Sequence, residues 1–334
     1  MTGVLVTGGT GFLGRHVLGE LARVGVPASA LVRSPQTWTA ADWRDEVGDP
    51  RVVAGSPLQL DGLADQLTGT TTILHAAAAV RHTRAEVQDM VEFNVNGTLN
   101  MVRLAARLGA RLVFVSTSGT VGCYRSPDVL ADEDSPYAEK VIRRWPYYAS
   151  KMQAEIRARA LARSYDVELV IVRPPVLLGP GDHRHRSLKH ITRVLDSELP
   201  LIPRGGMHFT DVRDVAEALV RVSLLEGPKP IYHLPGHQGP MREFLAMVSE
   251  VAGVPISPKA RDVANWKLAC LAPLARVVPA LSDPVLIEMA ACHWGMTSLH
   301  SARDLGYQPR PARQTLVDAI EWLRADRSRS LRTT

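Results

Sequence analysis

Residues 4–17 of this 334-residue chain read VLVTGGTGFLGRHV. An apolar run of β character leads through Gly8, Gly11 and Gly14, three apart, into residues with apolar positions at helical spacing. Nothing else in the chain constrains the fold as strongly. A strand that hands over to a helix through so flexible a turn opens a strand–helix–strand unit, and the helix must lie back on a sheet. Gly8 and Gly11 allow close backbone approach, and Gly14 allows tight packing of helix on sheet. The helix N-terminus then offers unpaired N–H groups and a partial positive charge, which suit a pyrophosphate. Thr10, Phe12 and Leu13 share the turn and join the three glycines as candidate contacts to such a group.

The segments that follow keep the alternation. ASALVR, RVVAG, TTILHAAA, ARLVFVSTS and VELVIVRPP read as strands, with helical patterns between them. Continuous apolar strands separated by helices imply a parallel sheet covered on both faces. The expected class is α/β: a Rossmann-type doubly wound parallel sheet with its ligand crevice at the carboxyl ends of the strands. After Pro175 the rhythm changes. Residues 176–208 are rich in Pro, Gly, His and Arg, and DVRDVAEALVRVSLLEG reads as a helix returning to the first unit. The expected division is a dinucleotide-binding domain of residues 1–175 plus about 209–228. A smaller, discontinuous C-terminal substrate lobe takes about 176–208 and 229–326, including the short strand PIYHLPG, and 327–334 form a frayed tail.

Composition excludes several classes. The net charge of +5 comes mainly from arginines dispersed through the chain, which reads as a solvated surface rather than a nucleic-acid footprint. Cys123, Cys270 and Cys292 have neither metal-type spacing nor an even count, as expected of unpaired thiols in a reducing cytoplasm. Met1 leads straight into a strand, without the pattern of a signal peptide. No apolar run reaches the roughly eighteen residues of a membrane span. The nearest, residues 266–294, is broken by Lys267, Arg276, Asp283 and prolines, and reads as short core helices or the wall of an oily pocket. DHRHRSLKH, with His183, His185 and His190, lacks the four ligands of a structural zinc and reads as a basic loop, with Arg184 and Arg186 open to an anionic substrate group. No metal is expected.

Tyr147 and Lys151 stand four apart on a predicted helix and share a face, whereas Tyr148 points elsewhere. A free phenol has a pKa of about 10, too high for easy proton exchange at neutral pH, and a neighbouring cation lowers it. These residues belong to an ordered series: TGGTGFLG at 7–14, HAAA at 75–78, NVNGT at 94–98, STSGTVG at 116–122, YYASK at 147–151, RPPVLLGPGD at 173–182 and FTDVRDVAEA at 209–218. Together they resemble the extended short-chain dehydrogenases/reductases of the NAD(P)-dependent epimerase/dehydratase superfamily, across nearly the whole chain. The resemblance implies Tyr147 as general acid/base and Lys151 as its cationic partner, which also holds the nicotinamide ribose. It implies Ser118 as hydrogen-bond donor to the developing alkoxide, with Thr117 the competing choice. Asn94 is either a water-relay or a helix-bending residue. His75, Ala76, Ala77, Pro174 and Val176 are implied cofactor contacts.

The end of the second strand separates the two nicotinamide cofactors. NAD enzymes usually place an acidic residue there. This chain has Arg33 and Ser34, which favour the 2′-phosphate of NADP(H), with NAD(H) the alternative. Where the family often carries an aspartate for adenine, AGSPLQLDG has Ser56. The segment GGMHFTDVRDVAEA resembles dihydroflavonol-reductase-like and 3β-hydroxysteroid-dehydrogenase-like members more than sugar-nucleotide epimerases. The expected activity is therefore reduction of a ketone or aldehyde, or oxidation of a secondary alcohol, on a fairly apolar small molecule. A sugar-nucleotide epimerase/dehydratase and a non-catalytic dinucleotide sensor are the alternatives. The family also implies a homodimer through helices at about 86–108 and 147–165.

Overall fold

The computed structural model describes residues 3–39, 43–84, 87–199, 201–258, 260–264 and 284–330. Its centre is a seven-stranded parallel sheet. From one edge to the other the strands are Arg51–Ala54, Ala28–Val32, Gly3–Thr7, Thr70–His75, Arg111–Val115, Leu169–Arg173 and Ile231–His233. The order reverses between Gly3–Thr7 and Thr70–His75, so a crevice opens there at the carboxyl ends of the strands. The six expected strands are all present. The seventh corrects the expected division. Ile231–His233 was assigned to the lobe, but it pairs residue for residue with Ile171, Val172 and Arg173 of the central sheet.

Side-chain alternation along one strand explains the layers. Val4 and Val6 face Leu18, Leu21, Val215 and Leu219, from helices Phe12–Arg23 and Val212–Leu224. Leu5, between them, faces the other way, into the cluster of Ile73, Val102, Leu104 and Ala158. That side is covered by helices Gln88–Leu108 and Pro146–Ser164. All of these side chains are buried, so the sheet is sealed on both faces, as continuous apolar strands require.

The second lobe has its own core, in which Leu178, Ile191, Phe209, Phe244, Val248, Leu316, Ile320 and Leu323 meet. Strand Gly206–Asp211 pairs with Val176–Leu178 on one side and His237–Pro240 on the other. The return to the first domain thus begins at Val212, not at residue 209. The C-terminal helix runs Ala312–Ser330, so residues 327–330 are helical rather than frayed, and Arg327 pairs with Asp196 at 2.7 Å. The histidine-rich loop packs on that helix. His183 and His185 meet Trp322 edge-on at 5.1 and 5.9 Å, and His185 bonds Asp326 at 3.0 Å. Of the apolar stretch 266–294, residues 266–283 lie outside the described residues. The remainder forms helix Pro284–Ala290 and strand His293–Trp294.

Charged contacts join the two units. Asp211 caps helix Val212–Leu224 by accepting from the Arg213 amide at 2.9 Å, and Arg213 also pairs with Asp318 of the C-terminal helix. Arg310 donates to Asp214 from its amide and its guanidinium, both at 2.8 Å, and lies 3.7 Å from Asp211. Burial opposes the charge of Asp211, but the bonds from Arg213 and the field of Arg310 outweigh it and hold the carboxyl below its ordinary range. A depressed carboxylate stabilises the fold above its unfolded pKa, and that contribution disappears as pH falls through the folded value. Arg310→Ala should cost about 1–2 kcal/mol at neutral pH, since the guanidinium is partly exposed. Urea titrations at successive pH values should show the deficit shrinking below about pH 4.

Candidate active site

The glycine turn is built as its spacing demands. Gly8 has φ +78°, and a Cβ there would lie 2.8 Å from the Ala77 nitrogen. A Cβ on Gly14 would lie 2.1 Å from the Gly8 carbonyl oxygen, so the helix can rest on the strand end only without a side chain. Gly11 occupies the N-cap position with extended backbone and no capping side chain, and the first turn carries no acidic residue. The amides of Phe12, Leu13 and Gly14 therefore face the crevice without an internal anion, which fits a pyrophosphate. Thr10 lies half-buried in the same turn. Arg33 follows strand Ala28–Val32 and is exposed. Beside it Ser34 donates to Gln36 at 3.2 Å. Ser56 accepts from the Leu58 amide within its own loop.

His75 lies at the end of strand Thr70–His75 with its side chain 1% exposed and stacked on Phe114. Burial, reinforced by the charge of Lys151, pushes its pKa down to about 3, so the ring is neutral. The Thr98 hydroxyl donates to the Asn94 carbonyl at 2.7 Å and so accepts from His75 Nε2 at 3.3 Å. Thr7 Oγ1 accepts from the Ala77 amide at 3.3 Å and donates to Nδ1 at 2.7 Å. One tautomer satisfies the whole chain. His75 thus locks the ends of the first and fourth strands in sequence to helix Gln88–Leu108, and holds the Ala76–Ala77 backbone against Gly8.

Asn94 is a pin. Its side chain exchanges two hydrogen bonds with the Ala79 backbone, at 2.8 and 2.9 Å, and donates to Ser150 at 3.0 Å. That favours the structural over the water-relay role. Thr117 caps the short turn Ser118–Thr120 by accepting from the Gly119 amide at 3.3 Å. Ser118 is the better donor: its amide is tied to the Pro174 carbonyl at 2.8 Å, while its hydroxyl has no protein partner among the described residues. Val176, beyond Pro174, is 39% exposed.

Helix Pro146–Ser164 carries Tyr147 and Lys151 one turn apart. Lys151 is buried; its Nζ donates to the Val115 carbonyl at 2.7 Å and lies 4.1 Å from the centre of the Phe114 ring. Burial pulls its pKa down to about 7, against the supporting charge of Glu155. The expectation that the ammonium makes Tyr147 more acidic is not met by the protein's own groups. Desolvation pushes the phenol up to about 12, while Lys151 turns to the strand end. Tyr148, expected to point elsewhere, belongs to the same cluster: its ring centre is 5.2 Å from that of Tyr147, and it covers Gly119, where a Cβ would lie 2.0 Å from Tyr148 Cε1.

Four residues escaped the sequence reading. His82 meets Tyr147 edge-on at 5.7 Å. Trp145 and Trp294 flank Tyr148 at 6.0 and 5.5 Å, making an aromatic wall beside the phenol. Trp294 comes from strand His293–Trp294, which pairs with Cys123–Tyr124 far away in the chain, and no local pattern announces it. Glu155 did carry a signal, one turn beyond Lys151 on the same helical face. Among the described residues no group of three His, Cys, Asp or Glu side chains could hold a metal ion, and no helix is long and apolar enough to cross a membrane.

A doubly wound sheet, an uncapped helix start at its switch point and a Tyr–Lys helix at its mouth define a dinucleotide-dependent α/β enzyme. Residues 4–233 match the NAD dependent epimerase/dehydratase family, and the chain belongs to it as an extended short-chain dehydrogenase/reductase. It is 29% identical to a putative dihydroflavonol 4-reductase of Synechocystis sp., over 95% of this chain and 93% of that protein. It is 31% identical to cinnamoyl-CoA reductase 1 of Oryza sativa subsp. japonica, over 66% and 67%. The crystal structure of gox2253 superposes with a TM-score of 0.83 at 28% identity, covering 97% of this chain and 98% of that one. DesIV, a dTDP-glucose 4,6-dehydratase of Streptomyces venezuelae with NAD and TYD bound, gives 0.75 at 26%, with the same coverage. The protein is an NAD(P)-dependent oxidoreductase of the short-chain type. Gly14→Ala should lower unfolding free energy by about 2–3 kcal/mol, because backbone must move. Thermal shift should show the remaining folded protein losing most of its stabilisation by cofactor.

Proposed function

We propose that this enzyme reduces a ketone or aldehyde of a fairly apolar small molecule with NADP(H), or oxidises the corresponding alcohol, using Tyr147 as general acid/base. The observation that carries this reading is the pair of rings against Tyr147, His82 at 5.7 Å and Tyr148 at 5.2 Å, with Trp145 and Trp294 packed on Tyr148 beyond them. The named reductase relatives support the same direction. Bound nicotinamide dinucleotide supplies or accepts the hydride. The amides of the first helical turn hold its pyrophosphate, and Arg33, exposed and cationic, takes the 2′-phosphate. Lys151 holds the nicotinamide ribose. Ser118 donates a hydrogen bond to the substrate oxygen as negative charge builds there, and Tyr147 gives that oxygen its proton.

A sugar-nucleotide epimerase or dehydratase is the second reading, favoured by structural neighbours such as DesIV. Against it stand Arg33 in place of an acidic residue and the aromatic lining. The sensor reading is weakened by the presence of both Tyr147 and Lys151. The enzyme is taken to act in a reducing cytoplasm, which suits the free, buried thiols of Cys123 and Cys292. A homodimer through the outer faces of helices Gln88–Leu108 and Pro146–Ser164 would cover Ile156, which is 48% exposed.

Turnover with a panel of aromatic and aliphatic carbonyls, against UDP- and dTDP-sugars, tests the substrate class; activity on the sugars alone would overturn it. NADPH should stabilise the protein more than NADH, and Arg33→Asp should reverse the preference about tenfold or more. Tyr147→Phe should lose at least about a thousandfold in kcat yet keep its thermal shift with NADPH. With the phenol raised to about 12 by desolvation, the proton donor stays protonated and neutral across ordinary assay pH. The reductive rate should thus show no tyrosine limb below about pH 9, whereas alcohol oxidation should climb with pH. Light scattering of the parent and of Ile156→Glu tests the dimer.

A further inference from the structure

We propose that Glu155 is a positioning residue for the site, its carboxylate fixing the turn that carries Ser118 and facing the ammonium of Lys151. The inference rests on the assignment of Tyr147, Lys151 and Ser118 made above. Glu155 lies one helical turn beyond Lys151 and two beyond Tyr147, so all three share one face of helix Pro146–Ser164. It is fully buried, at 0% exposure. Donors surround it. Oε1 accepts from the Ser116 hydroxyl and from Arg173 Nε at 3.2 Å, and it shares the single Thr120 hydroxyl proton, at 3.2 Å, with the Thr117 carbonyl at 2.9 Å. Oε2 accepts from the Tyr137 hydroxyl at 3.0 Å and from Arg173 Nη2 at 2.5 Å.

The origin of these donors carries the argument. Ser116 and Thr120 bracket Thr117, Ser118 and Gly119, so one carboxylate oxygen meets the hydroxyls at both ends of the turn that presents the Ser118 hydroxyl, the Thr120 proton being shared with the Thr117 carbonyl inside that turn. Arg173 ends strand Leu169–Arg173, immediately before the Pro174 carbonyl that binds the Ser118 amide. The carboxylate therefore ties the tyrosine helix, the serine turn and the neighbouring strand into one rigid piece. An ion pair buried this deeply gives little net stability, because both partners lose their hydration. Apolar residues of similar volume would pack the helix as well. They would supply neither acceptors for Ser116 and Thr120 nor a negative charge one turn from Lys151.

That charge acts in a dry place. Lys151 is faced by Glu155 from its own helix, by neutral His75 from strand Thr70–His75, and by the Val115 carbonyl and the Phe114 ring from strand Arg111–Val115. Of these, only Glu155 is an anion. Burial weakens the Lys151 charge and Glu155 sustains it, with little water to screen either.

The test compares Glu155→Gln/Arg173→Gln, which removes both charges together, with Ser116→Ala/Thr120→Val, which leaves the ion pair and removes the two turn contacts. The readouts are the NADPH dissociation constant from fluorescence titration across pH, and kcat with 4-nitrobenzaldehyde as the carbonyl probe. In the first variant, NADPH binding should weaken about tenfold at pH 7.5, with its alkaline fall-off moved down by about one pH unit. In the second, the fall-off should stay in place while kcat drops about tenfold, through a misplaced Ser118. Glu155→Asp should keep the fall-off of the parent. A merely structural Glu155 would lower the melting temperature and leave the pH dependence of binding unmoved. That outcome, or a folded second variant with parental kcat, overturns the proposal; should the first variant not fold, Glu155→Asp and the second variant decide it. Tyr147→Phe is measured in parallel: if it retains turnover, the site assignment itself fails, whatever the Glu155 variants do.

Discussion

The backbone of one helix touches the backbone of one strand, and much else follows from that contact. With no Cβ at Gly14, helix Phe12–Arg23 comes down on the Gly8 carbonyl. The helix axis then aims its uncapped start across the carboxyl edge of the sheet, at the point where strand order reverses. Gly8, in a left-handed conformation, lets Ala76 and Ala77 close in from the next strand. The crevice for a dinucleotide is thus a product of missing side chains. Its floor is stiffened by the Thr7–His75–Thr98 chain beneath, in which every donor has one acceptor.

The fold was legible in the sequence because its signals are local. VLV, AL, VV, ILH, LVFV and LVIV are strands whichever way their neighbours lie, and parallel burial makes them continuously apolar. Ile231–His233 was read as a strand but placed in the lobe, because its local pattern does not say which sheet it joins. That strand is defined only by Ile171–Arg173 alongside it. The boundary at Val212 was missed for the same reason: Gly206–Asp211 belongs to the small sheet through Val176–Leu178 and His237–Pro240, which are distant in sequence.

At the site, residue types were easier to read than their surroundings. The Tyr147–Lys151 spacing is a helical fact, and the structure keeps it. Its electrostatic consequence depends on surroundings that spacing does not show: desolvation raises the phenol, and the Lys151 ammonium is bonded to the Val115 carbonyl. The resemblance marks His75 without saying how its side chain sits; that the ring is buried and neutral depends on Phe114 and Thr98 being there. The aromatic wall needs Trp294 from the far end of the chain, so no window of sequence contains it.

The second lobe has a consequence for how the molecule is made. Its small sheet and core draw on residues 176–211, 237–252 and the last helix, Ala312–Ser330. Contacts of such long range close late, after the loops between them have been ordered. During synthesis the dinucleotide domain gains its first six strands well before Trp322 and Leu323 leave the ribosome, so the nascent enzyme has a cofactor floor before it has a roof. Until then the core around Phe209 and Phe244 lacks the share of its cover that Leu316, Ile320 and Leu323 bring with the last helix.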